Sequence, residues 1–240
     1  VSTGKLNIDI LTLFPDFFDS PVKTSILRLA IEKNLVDVTI RDIRGYARGK
    51  YRQVDDIPYG GGPGMVLMLE PLVDCIEHVI EERKSEGREV VLILTCPRGE
   101  RLKQDFLLNL SSLETDKMSI AIVAGHYEGF DERLYELFDW KLVSIGDFVL
   151  SGGEIPALVI LDGVARLMEG TLGNPESLSH ESFTTSMLDH PVFTRPPEYR
   201  GLKVPDVLMS GDHARIESWR AMKRRELTSR HRPDLLHDKE

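Results

Sequence analysis

Two cysteines, Cys75 and Cys96, are all the sulfur chemistry that 240 residues offer for cross-linking. That excludes a disulfide scaffold and suits the reduced thiols of a cytoplasmic protein. No apolar run approaches the roughly 20 residues of a membrane span, so no membrane partner is expected. The first residues lack the apolar core of a secretion signal. Short signatures of other enzyme classes are missing too. No Gly-Lys-Ser/Thr closes the glycine-rich loop, which excludes a Walker A site. No Gly-x-Gly-x-x-Gly follows the first predicted strand, which argues against a dinucleotide-binding oxidoreductase. Gly-x-Ser-x-Gly is absent, and the histidines lack zincin or zinc-finger spacing. No metal-ligating residue is therefore assigned.

What is present is an ordinary globular composition, 41% hydrophobic and 29% charged, in a chain long enough for one large α/β core plus a small appendage. A net charge of −9 speaks against indiscriminate binding to nucleic acid. Its distribution speaks for a local polyanion site. Residues 41–52 carry Arg41, Arg44, Arg48, Lys50 and Arg52 against one acid, Asp42. Residues 211–232 carry Arg215, Arg220, Lys223, Arg224, Arg225, Arg230 and Arg232 against three acids.

Hydrophobic periodicity predicts strands over 5–13, 35–40, 89–96, 119–124 and 140–145. Helices are expected over 21–34, 71–83, 101–110, 131–138 and 155–168. Strands 89–96 and 119–124 are almost wholly apolar, as in a parallel sheet covered on both faces. Alternating strands and helices therefore predict an α/β fold with a parallel sheet. Residues 51–70 read as an irregular, glycine-rich loop. Residues 170–190 lack an apolar period and read as a mobile linker, 191–201 as extended chain, and 212–227 as a basic helix capped by Ser210 or Asp212.

In a parallel sheet, ligands gather beyond the carboxyl ends of the strands. Three such ends carry glycine or proline: Thr95-Cys96-Pro97, the turn Gly-His-Tyr-Glu-Gly at 125–129, and the loop 146–153. They converge if their strands are neighbours. The helix that follows the third loop is apolar almost all round, which calls for a cover on every side, a second subunit included. Glu154, Asp162 and Arg166 are expected on one stripe of it, with Arg166 at the mouth of the pocket, aimed at an anion. Glu128 is a candidate to bind a ligand or orient an arginine. In the linker, His180, Glu181, Asp189 and His190 are candidate general bases.

Taken in order, several motifs resemble one family. They are Leu-Phe-Pro at 13–15, Tyr-Gly-Gly-Gly-Pro-Gly-Met at 59–65, Gly-His-Tyr-Glu-Gly at 125–129, Ser-Ile-Gly-Asp-Phe-Val-Leu-Ser-Gly-Gly-Glu at 144–154, Thr-Arg-Pro at 194–196 and Ser-Gly-Asp-His-Ala at 210–214. From about residue 5 onward the chain resembles the TrmD family of bacterial tRNA (guanine-N1)-methyltransferases, of the SPOUT class. The resemblance implies a parallel sheet with a deep C-terminal trefoil knot, an exception to ordinary chain connections, plus a small, mainly helical C-terminal domain. It places the knotted domain in residues 1–169, an active-site linker in 170–190 and a tRNA-binding domain in 191–240.

It further implies a cytoplasmic homodimer that holds S-adenosylmethionine in the knot and methylates N1 of the guanosine 3′-adjacent to the tRNA anticodon. Mg²⁺ is a possible companion. Carried over by position, the cofactor contacts are Leu94, Thr95, Pro97, Gly125, Tyr127, Glu128, Ile145, Gly146, Asp147, Phe148, Val149, Leu150, Gly152, Gly153 and Pro156. Arg166 matches the family's charge-stabilising arginine. Glu181 stands where the family has the aspartate that acts as general base, one methylene longer, and Asp189 matches a second acid.

Overall fold

The computed structural model describes residues 4–173 and 181–237. The chain divides into two compact units, Val1–Gly173 and Asn174–Glu240. Among the expected features, His180 lies outside the described residues.

The first unit is built on one five-stranded sheet in which every neighbouring pair is parallel. Its strands are β1 (Leu6–Thr12), β2 (Val36–Asp42), β5 (Glu89–Arg101), β6 (Met118–Ala124) and β7 (Trp140–Ser144), in the order β2-β1-β6-β5-β7. A two-residue pair, β3 (Asp55–Asp56) and β4 (Val66–Leu67), lies inside the glycine-rich loop. All seven positions of β1 and six of seven in β6 are buried. Covered on both faces, β6 reads as a near-continuous apolar run, whereas β1 alternates Leu6, Ile8 and Ile10 with Asn7 and Asp9, whose polar side chains are buried all the same.

Two apolar clusters flank the sheet. One collects α1 (Ser25–Glu32), α3 (Gln104–Ser111) and α5 (Glu154–Leu167) around Ile8, Ile10, Ile93 and Ile122. The other collects α2 (Leu69–Ser85) and the single turn α4 (Leu134–Leu137) around Leu11, Leu92, Leu94 and Val123.

Three elements differ from the sequence reading. β5 does not stop at Cys96. It bulges between Thr95 and Glu100 and then rejoins β7 through Glu100 and Arg101. A bulge tolerates Pro97, which has no N–H for a ladder. The expected helix over 101–110 consequently begins at Gln104. The helix expected over 131–138 shrinks to α4, because the Asp131 carboxylate accepts from the Arg133 N–H at 3.0 Å and makes a turn instead.

The second unit contains a small hairpin, β8 (Glu198–Tyr199) with β9 (Leu202–Lys203), where extended chain was expected. The short α6 (Asp206–Met209), the long α7 (His213–His231) and the final turn α8 (Asp234–His237) follow. Asp212 caps α7, accepting from the Arg215 N–H at 3.1 Å. The described end of the expected linker is held in place. Leu188 N–H donates to Thr228 Oγ1 of α7 at 2.9 Å, and Asp189 N–H donates to Ser182 Oγ at 2.9 Å.

Candidate functional site

The sheet order makes β6, β5 and β7 neighbours, so the three glycine- or proline-bearing strand ends do converge. Between them lies a cavity of about 480 Å³. That is the size of a pocket for a small organic ligand.

The loops are joined by backbone. Gly153 N–H donates to Gly125 O at 2.7 Å, and His126 pairs with Gly152 in an isolated antiparallel bridge. Glycine is required at this closest approach. A Cβ on Gly153 would stand 2.5 Å from Thr95 Oγ1 and 2.6 Å from Gly125 N. Thr95 is fixed from behind by its own bond to Val123 O at 3.0 Å. Tyr127, on the middle turn, is held at φ +61°, a left-handed conformation unfavourable for a branched side chain and tolerated where a loop must present a group.

Of the expected cofactor contacts, Thr95, Pro97, Gly125, Tyr127, Glu128, Ile145, Gly146, Phe148, Val149, Leu150, Gly152, Gly153 and Pro156 line this cavity. Leu94 and Asp147 do not. Leu94 is fully buried in the α2 side of the core. Asp147 is exposed and pairs with Arg101.

His126, on the turn expected to converge, lines the cavity too, and so do residues that sequence reasoning missed, among them Arg98, Phe130 and Tyr135. Arg98 lies on the β5 bulge, 4.3 Å above the Tyr135 ring, and grips Glu132 with two bonds of 2.8 and 3.0 Å. Burial, and then the neighbouring Cys96, push the Tyr135 hydroxyl up to about 12. A strand bulge and a one-turn helix leave no period in the sequence, so nothing there marked this wall.

The expected stripe on α5 is corrected. Glu154 is buried at the start of the helix, with Thr12 Oγ1 donating to its Oε1 at 2.8 Å. The exposed face carries Ile155, Val159 and Asp162, with Arg166 half-buried at its end. Eight residues turn a helix through about 80° beyond two full circles, enough to take Glu154 off that face. Arg166 also misses the mouth of its own pocket. It sits in the last turn of α5, about 15 Å along the axis from Pro156 at 1.5 Å per residue, and is not among the lining residues.

The candidate bases belong to the second unit. Glu181 opens its first described turn, with Thr184 N–H donating to the Glu181 carbonyl at 3.3 Å. The Asp189 carboxylate accepts from the His190 N–H at 2.7 Å and from Arg224 Nε at 3.3 Å.

The first basic island is smaller than its sequence suggests. Arg41 turns inward and pairs with Asp9 and Glu82, both at 2.7 Å. Arg48 lies 3.5 Å from Asp74. On α7, Arg215, Arg225 and Arg230 are exposed and form no ion pair among the described residues. No cluster of three or more His, Cys, Asp or Glu suited to a metal occurs among the described residues. No helix among them is long and apolar enough to cross a membrane.

Comparison with known proteins adds a chemical context. Residues 6–238 match the family model described as tRNA (Guanine-1)-methyltransferase TrmD. A protein of Geobacter sulfurreducens named tRNA (guanine-N(1)-)-methyltransferase is 49% identical over 98% of this chain and 93% of its own. A protein of the same name from Caldanaerobacter subterraneus subsp. tengcongensis is 47% identical over 95% of this chain and 90% of its own. Another, from Bacillus cereus, is 46% identical, with 98% and 93% covered.

Proposed function

Because the chain belongs to the tRNA (guanine-1)-methyltransferase family, we propose that it methylates N1 of the guanosine 3′-adjacent to the anticodon, drawing the methyl group from S-adenosylmethionine. The observation that carries this reading is the cavity itself, walled by the three glycine-bearing loops at adjacent strand ends. Its chemistry suits that donor. Ile145, Phe148, Val149, Leu150 and Pro156 offer apolar surface, and the glycines bring backbone N–H and C=O groups within reach of a flat heterocycle. When bound, S-adenosylmethionine supplies an electrophilic methyl group on a sulfonium.

The chain's own residues must do the rest. N1 of guanine carries a proton and is a poor nucleophile until it leaves. Glu181 takes that proton. As it departs, negative charge grows toward O6, and the Arg166 guanidinium stabilises it. Asp189 is the weaker candidate for base, since Arg224 and the His190 N–H already occupy one of its oxygens. The target base leaves its stack to enter the site.

Arg166 lies too far along α5 to serve its own cavity, so a second copy completes the site. The homodimer face we assign is the exposed apolar stretch of Phe148, Val149, Ile155 and Val159. The family's deep knot is the fold we assign to the first unit, a reading supported by the way loop 146–153 passes against Gly125 and Thr95. The division of labour is a cofactor domain over 1–169, a site-completing segment over 170–190 and a tRNA-binding domain over 191–240. Exposed cations on α7 hold phosphates and carry no sequence information themselves. The enzyme acts in the cytoplasm, beside its tRNA substrate.

The test is methyl transfer to a tRNA transcript with guanosine at the target position, followed by digestion to nucleosides. 1-Methylguanosine is the expected product. A ribose 2′-O-methyl nucleoside, or no product, overturns the reading.

A further inference from the structure

Backbone joins the second and third loops of the cavity to each other. The first loop lies on the β5 bulge. There the ladder to β7 is broken between Thr95 and Glu100, and the ladder to β6 ends at Thr95. Two arginines of that stretch reach outward instead, one to each side. Arg98 forks Glu132, just past the second loop, with bonds of 2.8 and 3.0 Å. Its guanidinium also lies 4.3 Å from the centre of the Tyr135 ring. Arg101 pairs with Asp147, inside the third loop.

The bulge is braced to carry these side chains. A Cβ on Gly99 would collide with the Val143 backbone, so the chain between the two arginines is pressed onto β7. Leu102 N–H donates to Ser144 O at 2.7 Å and anchors the far end. On the other side, Phe130 lines the cavity and packs its ring against Gly125, so the position of Glu132 and that of the cavity wall are linked.

We propose that Arg98 and Arg101 are positioning residues for the cofactor cavity. The Arg98–Glu132 pair sets the gap between the first loop and the second, and Arg101–Asp147 the gap between the first and the third. The bulged end of β5 is thus the hub from which the cavity's width is held. The proposal rests on the reading of the cavity as the S-adenosylmethionine site. Both pairs are exposed, Arg98 at 51% and Glu132 at 70%, so each acts weakly alone. The tyrosine face strengthens the first pair by holding the cation above it. Arg98 also lines the cavity, so its charge has a second way to act, directly on the ligand. The two modes differ in sign. A direct charge effect shifts affinity in opposite directions when the cation and when its anionic partner is removed. Positioning lowers affinity in both cases.

The experiment is calorimetric titration of the full-length protein with S-adenosylmethionine, with circular dichroism to check that each variant is folded. Glu132→Gln and Arg101→Met should each lower affinity about threefold. Arg98→Met loses the ring contact as well and should lower it about tenfold. Arg98→Lys keeps a charge opposite Glu132 and should stay within about threefold of the parent. Arg98→Met with Glu132→Gln should cost no more than Arg98→Met alone, because both break one pair. Arg98→Met with Arg101→Met should cost about thirtyfold, because the two pairs are independent. Parent-like affinity of a folded Arg98→Met overturns the proposal, as do opposite shifts for Arg98→Met and Glu132→Gln. If Arg98→Met fails to fold, Glu132→Gln and Arg101→Met decide, and parent-like affinities for both overturn it. A parent protein that does not bind S-adenosylmethionine removes the cofactor reading, and this proposal with it. Parent binding without the variant pattern removes the proposal alone.

Discussion

Arg83 on α2 clamps Asp9 on β1 with two parallel bonds, Nε to Oδ2 at 2.8 Å and Nη2 to Oδ1 at 3.0 Å. Both side chains are almost sealed from solvent, Asp9 at 0% and Arg83 at 5% exposure. Arg41 from β2 adds a third bond to Asp9 at 2.7 Å and reaches Glu82 as well. Two guanidinium groups thus converge on one buried carboxylate.

Removing the shared partner should be far worse than removing either arginine's second contact. Asp9→Ala leaves two cations in a low-dielectric site and is expected to cost about 3–5 kcal/mol. Glu82→Gln, at the partly exposed end, should cost less than about 1 kcal/mol. Urea unfolding of both variants checks the ranking, and equal losses would show that the network is not centred on Asp9.

The same network sets an acid limb, and buried acids elsewhere set an alkaline one. Arg41, by hydrogen bond and charge, holds the Glu82 carboxyl below its ordinary 4.5. A depressed folded-state value means stability that is present above the usual carboxylate range and is lost as pH falls through the folded value. Burial pushes Cys75 from 9.0 and Tyr135 from 10.0 up to about 12. Raised values act in the other direction. Their stability is complete below the unfolded values and drains away as pH climbs toward the folded ones. Urea midpoints should therefore decline from about pH 9 upward, and Tyr135→Phe should flatten part of that limb. Midpoints unchanged from pH 9 to pH 11 would contradict the assignment.

At the loop contact, Gly153→Ala places a methyl between Thr95 Oγ1 and the Gly125 amide, both rigid neighbours. Overpacking of this kind costs about 1–3 kcal/mol in stability and should spread the loops that wall the cavity. Loss of S-adenosylmethionine binding with a folded circular dichroism spectrum is the expected result. Gly173→Ala serves as a control, since a Cβ there meets nothing within 4 Å.

Electrostatic footprints separate exposed cations from structural ones. Arg225→Ala and Arg230→Ala each remove an exposed charge from α7. Each should weaken tRNA binding and reduce the salt slope of log affinity by about one. Arg41→Met should leave that slope unchanged, because Asp9 and Glu82 already engage its guanidinium. A lower slope for Arg41→Met would return it to the polyanion site.

The fate of Arg41 also shows what the sequence could and could not disclose. The strands were legible because β5 and β6 carry runs of Ile, Leu and Val and β1 alternates Leu and Ile with polar residues, and patterns of that kind are local. The convergence of three loops followed once strand order was known. Strand order is a long-range property that no local pattern states, so it entered only as a condition. Partnerships were not legible at all. Arg41 counts as a free cation until Asp9, 32 positions earlier, is seen beside it. Glu154 reads as a helix-surface acid until Thr12 is found at 2.8 Å. The Arg98–Tyr135 wall escaped for the same reason, as its parts come from a bulge and a single turn.

The placement of Arg166 yields the sharpest test of how the site is assembled. Pro156 lines the cavity, and Arg166 lies about 15 Å farther along the same helix. If Arg166 serves a partner's cavity, two inactive variants should rescue each other. Arg166→Ala retains an intact cavity, and Gly153→Val, which blocks the cavity, retains an intact arginine. Neither homodimer should transfer methyl groups. Unfolding and refolding an equal mixture makes half of the dimers mixed. Each mixed dimer carries one site with a sound cavity and a sound arginine from opposite subunits, so about a quarter of parental activity should return. A site built within one subunit gives no such return, because every cavity that binds cofactor then belongs to a chain without the arginine. The same mixing of Arg166→Ala with Glu181→Gln reports whether base and arginine reach a given cavity from one subunit or from two. Recovery in that pair places base and arginine on opposite chains at each cavity, and its absence places them on the same chain.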